Sequence, residues 1–141
     1  MTARLDNAPV ILPTPDVTRT AGWYRDVLGF VVIEHLDAED PFAAAYRDEV
    51  ELVFVQIADG AATFEPNRRR YGAGYDVYLD PDTTEGVDEV FADAAARGAK
   101  VVRPPTLVGY GSYEFVLEDP DGRWVGVGRV ADRAFFKGAF D

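Results

Sequence analysis

The sequence predicts an α+β fold made of two copies of one β-α-β-β-β module, and three observations carry that prediction. An apolar stretch bounded by turn formers precedes each of two segments whose apolar residues recur with the 3.6-residue period of a helix. Each helical segment ends at a glycine, Gly29 or Gly98, and a valine-rich strand follows at once. Each half then closes with two further strand-like runs joined by a tight turn. At 141 residues the chain is long enough for one ordinary domain with a real core.

Taken in order, "APVILPTPD" is a short strand. Pro9 and Pro13 give no N–H to a ladder, which suits an edge position. Asp16 is placed to cap a helix, with Val17, Thr20, Ala21, Tyr24, Val27 and Leu28 on its buried face. Gly29 ends it, and "FVVIEHL" is the next strand. "FAAAYRD" and "EVELVFVQI" read as a hairpin turning near Asp48. Residues 58–72, "ADGAATFEPNRRRYG", are turn formers and charges and read as the connection between modules. The second module repeats the order. "GYDVYLD" is a strand, and "TTEGVDEVFADAAARG" a helix with Val87, Val90, Phe91 and Ala94 on one face. "AKVVRP" follows as a strand, and "SYEFVLE" and "RWVGVGRV" form the last hairpin, turning at Asp119-Pro120-Asp121-Gly122. One domain over 1–141 is expected, with module one at about 5–57, module two at about 73–130 and a tail at 131–141. The tail carries Phe135, Phe136 and Phe140, which predicts docking on its own domain or on a partner subunit.

Composition narrows the function classes. There is no cysteine, which removes disulfides and thiolate chemistry. The formal net charge of −11 argues against nucleic acid and favours a cationic ligand over an anionic one. The basic run Arg68-Arg69-Arg70 reads as a solvated connection. No apolar run approaches the ~20 residues that span a bilayer, and the N-terminus lacks the pattern of a secretory signal, so a cytoplasmic location is expected. His35 is the one histidine and has no nucleophile marked beside it. Gly109 and Gly111 are not followed by a helix, so they do not form a phosphate cradle.

The last strand poses the functional question. One of its faces carries Val125 and Val127, the other Trp124, Gly126 and Gly128. Glycine weakens a strand interior and marks a place where something approaches the backbone. Alternation outward from this hairpin assigns Ile11, Glu51, Val53, Asp76, Tyr78 and Trp124 to the face that shares the glycines. It sends Leu52, Tyr75, Val77, Leu79, Val125 and Val127 to the core under the helices. A flat ring lying on Gly126 and Gly128 beside Trp124, with a positive group near Glu51 or Asp76, fits that lining.

Two segments, "PDVTRTAGWYRDVLGF" at 15–30 and "GYGSYEFVLEDPDG" at 109–122, resemble the vicinal oxygen chelate superfamily. That group includes glyoxalases, extradiol dioxygenases and the bleomycin-resistance binding proteins. The resemblance implies curved mixed sheets forming a half-open barrel, with helices on the convex side and the site on the concave side. In enzymes of the group a divalent metal is held from the first and last strand of each module. The matching positions here are Pro9, Glu51, Gly74 or Tyr75, and Gly126, so one metal-ligating residue of four remains. The resemblance therefore points to the metal-free, bleomycin-resistance-like members, with no cofactor and no catalytic residue. They bind and sequester a small molecule, here an aromatic and cationic one. "GYGSYEF" resembles the Pro-Trp-Gly-x-x-Glu-Phe stretch that borders the ligand groove in such relatives, which adds Tyr110 and Tyr113 to the candidates. "EDPFAAAYRDE" resembles another of their patterns and adds Phe42 and Tyr46. The resemblance also implies a homodimer. The rival reading is a metal-dependent lyase, isomerase or dioxygenase of the same superfamily.

Overall fold

Strand β1 (Val10–Thr14) leads into helix α1 (Val17–Leu28), followed by β2 (Val31–His35), β3 (Phe42–Arg47) and β4 (Val50–Gln56). A short helix α2 (Asn67–Tyr71) precedes β5 (Val77–Leu79), helix α3 (Thr84–Ala96), β6 (Lys100–Leu107), β7 (Ser112–Glu118) and β8 (Trp124–Val130). These elements come from a computed structural model that describes residues 2–59 and 63–131. The aromatic tail with Phe135, Phe136 and Phe140 lies outside the described residues. The chain divides into two compact units, Met1–Phe64 and Glu65–Asp141.

Both units have one topology. The first sheet runs β1-β4-β3-β2 and the second β5-β8-β7-β6. In each, the strand before the helix pairs parallel with the last strand, and the other pairs are antiparallel. This is the expected duplication, and neither sheet closes on itself.

Local chemistry explains the helix ends. The Asp16 carboxylate accepts from the Arg19 N–H at 3.0 Å, and Gly29 takes the left-handed conformation (φ 72°) that ends α1. Thr83 caps α3 through the Gly86 N–H. In the first unit α1 packs Val17, Ala21, Tyr24 and Leu28 against Leu12, Leu52, Phe54, Ala43 and Ala45, all buried. In the second, α3 lays Val87 and Ala94 over a sheet face holding Val77, Phe115, Leu117, Val125 and Val127. The last hairpin is locked by charge. The buried Arg123 guanidinium meets Asp119 at 3.0 Å and Asp121 at 2.7 Å, and Asp119 accepts two backbone N–H groups.

Three details differ from the sequence reading. The connection holds helix α2, which proline at its cap and three arginines do not announce by periodicity. Strand β5 is three residues long, since Tyr75 and Asp76 precede the ladder. Strand β6 continues through Pro104 and Pro105, and its pairing with β7 slips on both sides of Arg103. Two prolines cannot donate to a ladder, so the edge strand accommodates them by irregular pairing.

Replacing Asp16 by Ala removes the cap of α1. A loss of about 1 kcal/mol in urea unfolding is expected, with little change from Asp16→Asn.

Candidate functional site

The pairing of the last three strands decides what the glycine face holds. In the β7–β8 hairpin Glu114 stands opposite Gly128 and Val116 opposite Gly126. In the β5–β8 pair Tyr78 stands opposite Gly126. A methyl group on Gly126 would come within 2.7 Å of the Tyr78 ring and 3.1 Å of the Tyr75 ring. One on Gly128 would lie 2.2 Å from the Tyr78 hydroxyl and 2.5 Å from Glu114 Cβ. The ring for which the glycines make room is therefore the chain's own Tyr78.

Glu114 is wholly buried, so its oxygens need donors. It has four. Oε1 accepts from the Tyr75 hydroxyl at 2.8 Å, from Arg103 Nη2 at 2.8 Å and from the Tyr110 hydroxyl. Oε2 accepts from the Tyr78 hydroxyl at 2.6 Å. Ser112 Oγ lies 2.8 Å from the Tyr78 hydroxyl and extends the network. Burial, and then the bond to Glu114, push the Tyr78 and Tyr110 phenols well above the usual range, so both stay protonated as donors. Both residues stay partly exposed, Tyr78 at 43% and Tyr110 at 40%. Tyr75 and Tyr78 stack, with centroids 5.7 Å apart and planes 26° from parallel.

The sequence reading sent Tyr75 to the core and Asp76 to the open face. The structure corrects the first: the Tyr75 hydroxyl joins Tyr78 on Glu114. Both residues lie before β5, where the two-residue alternation does not hold. Asp76 turns toward α2, whose Asn67 N–H donates to Oδ1 at 3.2 Å. Its Oδ2 is buried with no hydrogen-bond partner among the described residues, and desolvation raises the carboxyl above the ordinary range. Trp124 shares the glycine face of β8, and the Arg68 guanidinium lies 3.9 Å from its ring centroid. The other candidates have different surroundings. Tyr113 faces the helix side and donates to Asp88 at 2.5 Å. In the first unit Glu51 pairs across strands with Tyr46, beside Ile11 and Val53 on an open sheet face, and Phe42 stacks on His35 at 4.5 Å. A surface depression of about 330 Å³ is lined by Thr84, Glu85, Asp88, Leu107, Tyr113 and Ala131, and by no residue bonded to Glu114.

Glu114, Arg103 and Ser112 escaped the sequence reading as site residues. A signal for Glu114 was present: counting back from the Asp119–Gly122 turn sets it opposite Gly128, a carboxylate inside an apolar strand. Arg103 had none, since the slips in β6 hide its direction. The donor set does not fit a resident metal. The space before Gly126 is filled by tyrosine rings. Among the described residues no three His, Cys, Asp or Glu side chains converge to hold an ion.

A family model described as the Glyoxalase/Bleomycin resistance protein/Dioxygenase superfamily matches residues 8–127. The bleomycin resistance protein of Geobacillus stearothermophilus is 25% identical over 122 residues, covering 81% of this chain and 89% of that one. The glyoxylase/bleomycin resistance protein/dioxygenase domain from Frankia sp. EAN1pec superposes with a TM-score of 0.70 at 17% identity, over 91% of this chain and 93% of the other. TioX from Micromonospora sp. ML1 gives a TM-score of 0.65 at 19% identity, covering 89% and 98%.

Two substitutions test this geometry. Gly128→Ala drives a methyl into the Tyr78 hydroxyl and Glu114 Cβ, and denaturant unfolding is expected to show a loss of about 1–3 kcal/mol. Asp76→Asn tests the buried carboxyl. Because its folded value is raised, Asp76 favours the fold most when protonated, below the ordinary carboxylate value of about 4. That contribution is lost as pH rises through the raised value. The Asn variant keeps the acceptor for Asn67. It is expected to melt higher than the parent near pH 7, with the advantage fading below about pH 4 in a thermal-melt series.

Proposed function

This chain belongs to the glyoxalase/bleomycin resistance protein/dioxygenase superfamily, and we propose that it is a binding protein of that family, one that holds a flat, aromatic, positively charged small molecule without transforming it. The observation that carries this reading is the set of half-exposed tyrosine rings on the second unit, with their hydroxyls turned inward on Glu114. Polar tips are consumed and apolar faces are offered, which suits an aromatic guest rather than a reacting one. Trp124 adds an aromatic ring on the same strand, with the Arg68 guanidinium 3.9 Å from its centroid as an internal example of the cation–ring contact. Tyr78, Tyr110 and Trp124 supply stacking above the Gly126 backbone. Asp76 supplies negative charge in the same unit, while Glu51, with Tyr46 and Phe42, offers a carboxylate beside aromatic rings in the first. The net charge of −11 draws cations toward all of them. We place this sequestration in a cytoplasmic homodimer, and the relatives named as bleomycin resistance proteins support binding over a metal-dependent enzyme.

Calorimetric titration with 1-methylquinolinium and with bleomycin checks the reading. We expect saturable 1-methylquinolinium binding that Tyr78→Ala weakens about tenfold or more, with the probe recovered unchanged. No binding of either probe, or turnover with a stoichiometric metal present, would defeat it.

A further inference from the structure

The hydroxyls and the rings of the tyrosine cluster serve different ends. A carboxylate has about four acceptor positions, and Glu114 meets four donors, from Tyr75, Tyr78, Tyr110 and Arg103. Each phenol owns a single O–H and spends it on Glu114, leaving none to donate to a guest. The Tyr75 oxygen also accepts from Arg103 at 3.0 Å, and the Tyr78 oxygen meets Ser112. What the cluster leaves to solvent is ring surface.

A tyrosine ring turns about two torsions. The oxygen lies on the axis of the second torsion, so anchoring it fixes where the ring lies; the O–H lies in the ring plane, so the direction of its acceptor then orients that plane. Three rings rooted on different segments share the one anchor: Tyr78 on β5, Tyr75 before it, and Tyr110 in the loop ahead of β7. Arg103 balances the charge of that anchor, with its guanidinium 2.8 Å from Oε1.

We infer that Glu114 is the specificity-determining positioning residue of this site. It touches no ligand, but it sets the ring planes of Tyr75, Tyr78 and Tyr110, so that the protein selects flat ring systems by their faces and requires no hydrogen-bonding group on them. The inference rests on the binding reading above and deepens it: shape and ring flatness set the choice of guest, and phenol hydrogen bonds do not.

The test uses 1-methylquinolinium, a planar cation that neither donates nor accepts a hydrogen bond, on the full chain by calorimetry. Tyr110→Phe keeps the ring and the charge and removes only the hydroxyl; at a half-exposed position this variant folds. Glu114→Gln keeps the size of the side chain but presents an amide N–H₂ to donors. The expected result is weaker binding, about threefold or more for Tyr110→Phe and about tenfold or more for Glu114→Gln, although the probe bonds to neither group. The near-ultraviolet circular dichroism of the tyrosines should fall in both variants, with the far-ultraviolet spectrum unchanged. If the parent binds the probe, Tyr78→Ala loses it, and both variants bind within twofold of the parent, the positioning role is overturned and the binding reading stands. If Glu114→Gln weakens binding and Tyr110→Phe does not, Glu114 acts through its charge, and the inference is likewise overturned. If the parent itself does not bind, the binding reading falls and takes this inference with it.

Discussion

A charge taken out of water has to be met by donors, and Glu114 is the place where this protein answers that demand. The carboxylate lies in the middle of β7, fully buried. An isolated buried carboxylate would cost several kcal/mol. Three phenols and a guanidinium supply its hydrogen bonds. The requirement runs outward from there. Tyr78 reaches Glu114 across β8, past positions 126 and 128, where a side chain would collide with its ring and its hydroxyl. Tyr75 reaches it because the chain leaves strand geometry before β5. Arg103 reaches it from an edge strand whose ladder slips at that point.

The duplication puts this arrangement in relief. Both units use the same strand order and the same parallel first-to-last pairing, and both bury an apolar sheet face under a helix. Their opposite faces diverge. In the first unit that face is mostly apolar and open, with Ile11, Val31 and Ile33 exposed around the Tyr46–Glu51 pair. In the second it is aromatic and hydrogen-bonded, anchored on one buried acid. Equal topology with unlike faces shows that the fold specifies the helix-side core, while the other face is free to acquire a site.

A second set of charges steadies the approach to that site. Arg123 is buried between Asp119 and Asp121 and fixes the hairpin whose register sets Glu114 against Gly128. The backbone N–H of Asp76 donates to the Trp124 carbonyl, and its carboxylate holds the first turn of α2. That turn carries Arg68 onto the face of Trp124. The indole, on β8, and the tyrosine cluster, whose Tyr75 and Tyr78 rings lie against the glycines of that strand, thus have separate supports.

How far the sequence could be read follows from the range of the forces involved. Asp16, Gly29, Thr83 and the Asp119–Gly122 turn act within a few residues, so helix ends and hairpins were legible. Alternation within β4 and β8 sent Leu52, Val125 and Val127 to the core, where they are buried. The glycines signalled that something would lie on the strand, and the sequence reading gave that place to a guest's ring. Tyr78 takes it instead, because β5 pairs parallel with β8, two elements far apart in the chain. Nor could alternation place Tyr75, which stands outside the ladder, or aim Arg103 past two prolines. The sequence by itself determined the modules, the core face and the vacancy on β8. Tertiary structure alone decided that Tyr78 fills the vacancy and that Glu114 gathers three phenols, since hydrogen bonds between distant segments exist only once the strands have been brought side by side.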